Sequence, residues 1–338
     1  MTTLIYPTNA ELTEIAQNLI PRLAANRPIF QKFPLKDVDA HLIMWEQEDN
    51  YVGLQQIRGM NGAPPRVSQV GLKRYQMEPG IYGEFMTIDE FEITARRAFG
   101  TFATAVDITD LVMRRQRQLL QRRLDRIEYI LWTLVTAGTF SVSGPGGAVL
   151  QTDSYSFQTY NGSAWATVAT ATPLADLRAV QLKGRGYSVD FGPSAEVWMN
   201  RVTYNNMIAN ENANDLYGRR ISGFGTINNL TDLNNLLTRD GLPSVVVYDQ
   251  GYLNDSGTFV PYLSDTAPIV FGKRTDGAPI GAYAMTRNAN NPGLAPGAYM
   301  RVIDRGEEQV PRLIEVHDGH NGGPEISFPS AVVTMDVS

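Results

Sequence analysis

The chain has 338 residues, 43% of them hydrophobic, and a net charge of −6. That is length and apolar content enough for one large domain or two smaller ones, and too much for a disordered chain. There is no cysteine, which excludes disulfides, thiolate nucleophiles and cysteine-based zinc or iron–sulfur sites.

The N-terminus, MTTLIYPTNAELTEIAQNL, has no basic stretch followed by an apolar run, so no signal peptide is expected. Nowhere does an apolar run reach the length of a membrane span. Residues 9–19 show a short helix pattern, which Pro21 and Pro28 interrupt. IFQKFPLKDVDAHLIMW follows, with aromatic and β-branched residues but no clean period. Alone it cannot bury its apolar groups. Residues 1–48 therefore read as an arm lying along a surface of this subunit or a neighbour, or as a segment packed on its own domain. Residues 50–92 read as a long β-hairpin: NYVGLQQIRG, a Gly- and Pro-rich tip (MNGAPPRVSQVG), and the return limb LKRYQMEPGIYGEFMTIDEFEI. A two-stranded ribbon is marginal alone in water and needs something to lie on.

One long helix comes next, from about Asp107 to Ala137. Leu120, Leu124, Ile127, Leu131 and Leu134 recur with 4-3-4-3 spacing, which puts them on one face. Asp107 or Thr109 can cap its start, and Gly138 stops it. At about 1.5 Å per residue it spans roughly 45 Å, a girder that braces an extended subunit.

After Gly138 a second hairpin, TFSVSGPGGAVLQTDSYSFQTY, turns at Gly-Pro-Gly-Gly, and NGSAWATVATATP reads as a polar connector. A helix opens with Thr172 as cap and Pro173 at its first position, and ends at Gly184 and Gly186. AEVWMN reads as a short buried strand, RVTYNNMIANENAN as one helix, and INNLTDLNNLLTRDG as another closed by Gly241. SVVVYD is a strand, GYLNDSGTFVPYL a hairpin with an Asp-Ser-Gly turn, and TAPIVFG a further strand. Residues 172–285 thus alternate helices and strands as an α/β unit. The tail from Ala298 adds the strands YMRVIDRG, PRLIEVHDG and PEISFPSAVVTMDV, with turns at Gly306 and at Gly319 to Gly323.

Signatures of catalysis are missing. No GxxxxGK[ST] phosphate loop is present, and Gly272-Lys273 is followed by Arg274. ISGFGTIN (Ile221 to Asn228) lacks the third glycine of a dinucleotide fingerprint and reads as a flexible loop. There is no GxSxG elbow. Of the three histidines, His41 sits in the arm, while His317 and His320 lie in EVHDGHNGG beside Glu315 and Asp318. This is the best metal-like cluster in the chain, but its Gly-rich setting favours a solvated turn. Glu307-Glu308 and Asp89-Glu90 read as surface charge. No catalytic, cofactor or metal site is expected, and no enzyme.

The cations are five lysines and 24 arginines. The run RRQRQLLQRR puts Arg114, Arg115, Arg117, Arg122, Arg123 and Arg126 on the girder, against Asp107, Asp110, Asp125 and Glu128. Facing nucleic acid, they would bind phosphates non-specifically and with steep salt dependence. The negative net charge and the lack of interleaved aromatics favour pairing with acids on adjoining elements or subunits.

The order of parts (arm, long hairpin, long helix, short hairpin, α/β block, return strands) resembles the HK-97-type major capsid protein of tailed bacteriophages. It is closer still to the lambda-like capsid protein E family. The resemblance is carried by RIEYILWTLVTAGTFSVSG (Arg126 to Gly144), DLRAVQLKGRGYSVDFGPSAEVWMN (Asp176 to Asn200) and VVVYDQGYLNDSGTFVPYLSDTAPIVFG (Val245 to Gly272). It implies an α+β fold with an N-terminal arm (1–48) and an E-loop β-hairpin (49–92). A peripheral domain (93–171) with a spine helix at about 107–137, an α/β axial domain (172–297) and peripheral return strands (298–338) would follow. It implies a major capsid protein whose copies form pentamers and hexamers of an icosahedral head enclosing double-stranded DNA, without sequence-specific binding. Such a protein belongs to the virion after assembly in the host cytoplasm. Other copies of the chain, a cement or decoration protein, a scaffolding protein and a portal are the implied partners, with no membrane and no cofactor. Candidate intersubunit contacts are Lys73, Arg74 and Tyr75 of the E-loop and Arg114, Arg115, Arg122 and Arg123 of the girder. Some relatives cross-link an E-loop lysine to a neighbour's asparagine. Lys73 is the only lysine here in that loop, but lambda-like members rely on a cement protein, so no cross-link is expected. Two other readings stay open: an encapsulin-like compartment shell, and another virion structural part.

Overall fold

The computed structural model describes residues 4–48, 53–58, 60, 62–67, 71–96, 106–143, 148–218, 227, 229–254, 256–306 and 310–338. At the N-terminus β1 (Leu4–Ile5) precedes α1 (Asn9–Ala24). A reciprocal capping box opens the helix: the Thr8 hydroxyl accepts from the Glu11 amide, and the Glu11 carboxylate accepts from the Thr8 amide. The helix does not stop at Pro21. That residue costs the ladder one amide donor close to the helix end, and its own carbonyl still accepts from the Ala25 amide at 3.0 Å. Pro28 occupies the N-cap position of α2 (Ile29–Lys32), and β2 (Leu35–Asp37) follows.

The ribbon departs from its expected bounds. β3 (Ile43–Glu48) pairs antiparallel with β4 (Leu72–Met77), Ile43 opposite Met77 and Glu48 opposite Leu72. This ladder lies before the limb expected at 50–59, whose described residues 53–58 carry no strand. β5 (Gly80–Ile88), expected in the return limb, leaves the ribbon. α3 (Glu90–Ala95), expected as strand, is helical because Asp89 caps it, its Oδ1 accepting from the Glu92 amide at 2.8 Å. β6 (Val106–Asp107) pairs parallel with β1.

The girder is α4 (Thr109–Ala137), 29 residues long. Its five-residue stripe from Leu120 to Leu134 is fully buried. The N-cap position falls on Ile108, which makes no side-chain capping bond; Asp107 Oδ1 instead accepts from the Thr109 amide at 2.9 Å. Gly138 ends the helix with φ +67, its amide donating to the Leu134 carbonyl at 2.8 Å. A Cβ at Gly138 would lie 2.8 Å from the Tyr155 carbonyl oxygen. Gly138→Ala is therefore expected to cost at least about 1–2 kcal/mol, from the left-handed backbone alone, read by urea unfolding.

β7 (Thr139–Ser143) and β8 (Val149–Ser154) form the expected short hairpin, whose Gly144–Gly147 turn lies outside the described residues. β9 (Gln158–Asn161), expected in the same hairpin, joins a distant sheet. α5 (Pro173–Leu182) begins at Thr172, whose side chain makes no capping bond and whose amide donates to Ser163 Oγ at 2.9 Å. Then come β10 (Val189–Asp190) and β11 (Glu196–Met199), the buried strand expected from AEVWMN. The single helix expected over 201–214 is two, α6 (Arg201–Ala209) and α7 (Glu211–Tyr217). Asn210 divides them, because its Oδ1 accepts from the Ala213 amide and starts a new helix. α8 (Leu230–Arg239), β12 (Ser244–Val247), the hairpin of β13 (Gly251–Leu253) and β14 (Phe259–Pro261), and β15 (Ile269–Phe271) match their sequence signals. β16 (Lys273–Arg274) pairs with β10. β17 (Gly281–Met285), β18 (Tyr299–Asp304), β19 (Ile314–Ile326) and β20 (Val332–Asp336) complete the chain.

Two five-stranded sheets result. One runs β18-β19-β17-β2, with β5 also on β19; the other runs β12-β11-β15-β20-β9. The tail strands, expected together, part company: β18 and β19 stay in the first sheet and β20 enters the second. The turn expected at Gly319 to Gly323 does not exist, since these residues lie inside the 13-residue β19. The girder joins both cores. Leu119 and Leu120 pack with Leu12 and Ala16 of α1 and Val316 of β19. Leu124 through Val135 pack with Trp198, Phe271 and Val333 of the second sheet. Each fully buried leucine contributes roughly 1.5–3 kcal/mol, so one helix ties the two sheets together.

Candidate functional site

The girder arginines face three ways. Arg123 points inward: its Nη1 lies 2.6 Å from Asp318 Oδ1, and both side chains are 5% exposed. It is thus no surface contact, and its acid lies on this chain's own β19. Arg115 pairs with Glu92 of α3 at 2.7 Å, and Arg122 grips Glu84 of β5 through Nε and Nη2. These three pairs join α4 to its own neighbours. Arg114 and Arg117 are exposed, without an ion pair among the described residues. Arg126 lies over the Tyr129 ring at 5.8 Å.

At the β3–β4 ladder, Trp45 of β3 stacks between Tyr75 of β4 (5.5 Å) and Tyr155 (6.2 Å), while the Tyr155 hydroxyl donates to Met77 Sδ at 3.3 Å. Arg74 pairs across the ladder with Glu46 at 2.6 Å, and Lys73 is exposed beside it. Beyond this clamp the apolar side chains have no cover: Leu54 is 94% exposed, Ile57 100% and Met60 99%. Residues 50–77 carry four cations and no acid.

The histidine cluster is not a solvated turn. Three residues apart in a strand, His317 and His320 face opposite sides of β19. His317 bonds Glu315 at 2.8 Å and stacks on Phe85; His320 meets the Tyr283 hydroxyl at 3.0 Å and stacks on Tyr82. Burial pushes the His320 imidazole down to about 3, with Arg123 adding to the effect, so the ring stays neutral. Among the described residues no group of three or more His, Asp or Glu is placed to hold a metal. In ISGFGTIN only Ile227 is described; the rest, like Glu307-Glu308, lies outside the described residues.

The joining role of two buried carboxylates was not legible, because it rests on donors from separate elements. Asp176 gathers the Tyr160 hydroxyl, the Ser163 amide and hydroxyl, and the indole N–H of Trp165, a residue of the supposed polar connector. Glu128 gathers Tyr248, Trp132 Nε1 at 3.3 Å and Arg27 at 3.0 Å. Donors already occupy both carboxylates, so they act as joints: Glu128 ties the N-terminal segment, α4 and the residue that follows β12.

No curated protein sequence matches the chain. A protein assigned as the capsid protein of a prophage of E. coli CFT073 superposes with a TM-score of 0.53 at 15% identity, covering 80% of this chain and 82% of that one. A phage-related protein from Bordetella bronchiseptica RB50 gives a TM-score of 0.53 at 11% identity, covering 95% and 96%. At these identities the likeness is one of fold, and it bears out the mixed helix–strand capsid architecture implied by the resemblance. In sequence, the family described as phage major capsid protein E matches over residues 10–313. A match across most of the chain, joined to that fold, means that the chain belongs to the phage major capsid protein E family.

Proposed function

We propose that copies of this chain form the pentamers and hexamers of an icosahedral phage head enclosing double-stranded DNA. The single observation that carries the reading is the ribbon. Its base is clamped by the Trp45 stack, and its apolar side chains are left uncovered, so a second subunit must cover them. In this reading residues 1–48 are the arm, 49–92 the E-loop and 107–137 the spine. The peripheral part comprises 93–171 and 298–338, and the axial part 172–297, with β9 and β20 lent to the axial sheet. Lys73, Arg74, Tyr75, Arg114, Arg115 and Arg122 are then contacts or braces of contacts between subunits. The protein acts in the virion without enzymatic activity, after assembly in the host cytoplasm. Scaffolding, portal and cement proteins are its expected partners.

Negative-stain microscopy of the expressed chain tests the reading: shells, tubes or capsomers are expected, and a dispersed monomer at every concentration would refute it. Nuclease-protected DNA in shells from infected cells separates a phage head from a compartment with protein cargo. The triple variant Leu54→Ser, Ile57→Ser, Met60→Ser is expected to leave the subunit's unfolding midpoint unchanged, because these side chains bury nothing within it. Shell yield should fall about tenfold or more, since covering each apolar side chain is worth roughly 1.5–3 kcal/mol. Wild-type yield would remove the ribbon from the assembly contacts.

A further inference from the structure

The open edge of β5, beside the outer flank of α4, forms a shelf whose strand edge neither the fold nor the shell reading uses. β5 pairs with β19 from Gly80 to Ile88, and among the described residues no strand pairs with its other edge. Ile81 and Phe85 are exposed on it. An unpaired strand edge presents a row of N–H and C=O groups that templates another strand. Beside this edge a groove of about 650 Å³ lies between Phe85 and the α4 residues Arg115, Gln118 and Arg122. It shares Arg122 with a second groove of about 680 Å³ that extends to Arg126.

Charge selects the occupant. The acids at the shelf are already matched: Glu84 by Arg122, Glu92 by Arg115 and Asp125 by Arg27. Arg114 and Arg126 are the excess. Arg114 shares a helical face with Gln118, Gln121 and Asp125 through its 4-3-4 spacing. The chain's own 50–77 ribbon is cationic and is repelled here. A nucleic-acid backbone offers phosphate acceptors, whereas a strand edge needs alternating donors and acceptors. We propose that the shelf takes an extended acidic segment of a partner protein, which adds a strand to β5 and turns carboxylates at alternate positions toward the α4 arginines and glutamines.

The test uses the unassembled full chain, so its outcome does not depend on the shell reading. A fluorescent peptide of alternating Glu and Val, as long as β5, is titrated by anisotropy, with amide hydrogen exchange followed over residues 80–88. Saturable binding that weakens with salt, and slowed exchange in β5, are expected. The matching Lys-Val peptide should bind about tenfold more weakly or worse. Arg114→Glu with Gln118→Glu, both exposed, should weaken the Glu-Val peptide about tenfold while the circular dichroism stays unchanged. Equal affinity for the two peptides on the wild-type chain, unchanged β5 exchange, or displacement of the Glu-Val peptide by oligo-dT overturns the proposal; the last would make the shelf a nucleic-acid surface.

Discussion

Arg123→Ala is expected to destabilise the unassembled subunit by about 3–5 kcal/mol, the usual cost of removing one partner of a buried ion pair. Arg123 and Asp318 lie between the girder and the central strand of the first sheet, almost entirely out of water. Burial holds the Asp318 carboxyl above its ordinary range even with Arg123 beside it, so the carboxylate is already held at a disadvantage. Without the guanidinium the group must take a proton or remain as a lone charge, and both outcomes weaken the sheet–helix contact. The exposed pair Arg122–Glu84 is the control: Arg122→Ala should cost no more than about 1 kcal/mol. Arg123→Met with Asp318→Leu should recover most of the loss, since replacing a buried pair by apolar groups of similar volume is often neutral. Urea unfolding of the three variants decides it. A loss under about 1 kcal/mol for Arg123→Ala would mean that the pair behaves as though solvated.

The same pair shows what could and could not be seen in the sequence. The girder was legible because helical period, apolar stripe and terminal glycine agree over 29 residues. Arg115, Arg122 and Arg123 pair with acids as expected, but sequence could not say that the partners lie on α3, β5 and β19 of the same chain, because those pairings are tertiary. The strand β19 was misread at its centre. HDGHNGG has the composition of a turn, yet its glycines are there for close approach. A Cβ at Gly319 would lie 2.6 Å from the Tyr82 carbonyl oxygen, and one at Gly322 2.7 Å from that of Ala284. Neighbouring strands leave no room for side chains, and a single sequence carries no trace of a neighbour. The ribbon failed for a related reason. Period-2 patterning finds strands but not their partners, so β5 looked like a hairpin limb when its partner is more than 200 residues away.

Glu128→Leu is expected to match Arg123→Ala in cost, at about 3–5 kcal/mol, and to do so for a different reason. The Glu128 carboxylate is the acceptor for three buried or half-buried donors from three parts of the chain: Arg27, Trp132 and Tyr248. Leucine fills the volume but leaves the Tyr248 hydroxyl and the Trp132 indole N–H without their acceptor, while Arg27 keeps Asp125. Glu128→Gln should cost only about 1 kcal/mol, because its amide oxygen still accepts from Tyr248 and Trp132 and only the Arg27 bond is lost. The pH dependence separates the two substitutions further. Burial raises the Glu128 carboxyl above its ordinary 4.5, outweighing Tyr248, Arg27 and Trp132, which all lower it. A carboxyl raised in the folded state contributes stability that is fully present below 4.5 and is lost as pH rises through the raised value. Wild type should therefore lose stability from this group over the range from 4.5 up through the raised value, and Glu128→Gln should flatten that slope. Urea unfolding at both ends of that range measures it. If the wild-type slope is unchanged in Glu128→Gln, the carboxylate is solvated. In that case the girder would be joined to the second sheet by its apolar contacts, among them Trp132 against Trp198 at 5.6 Å and against Tyr248 at 5.3 Å.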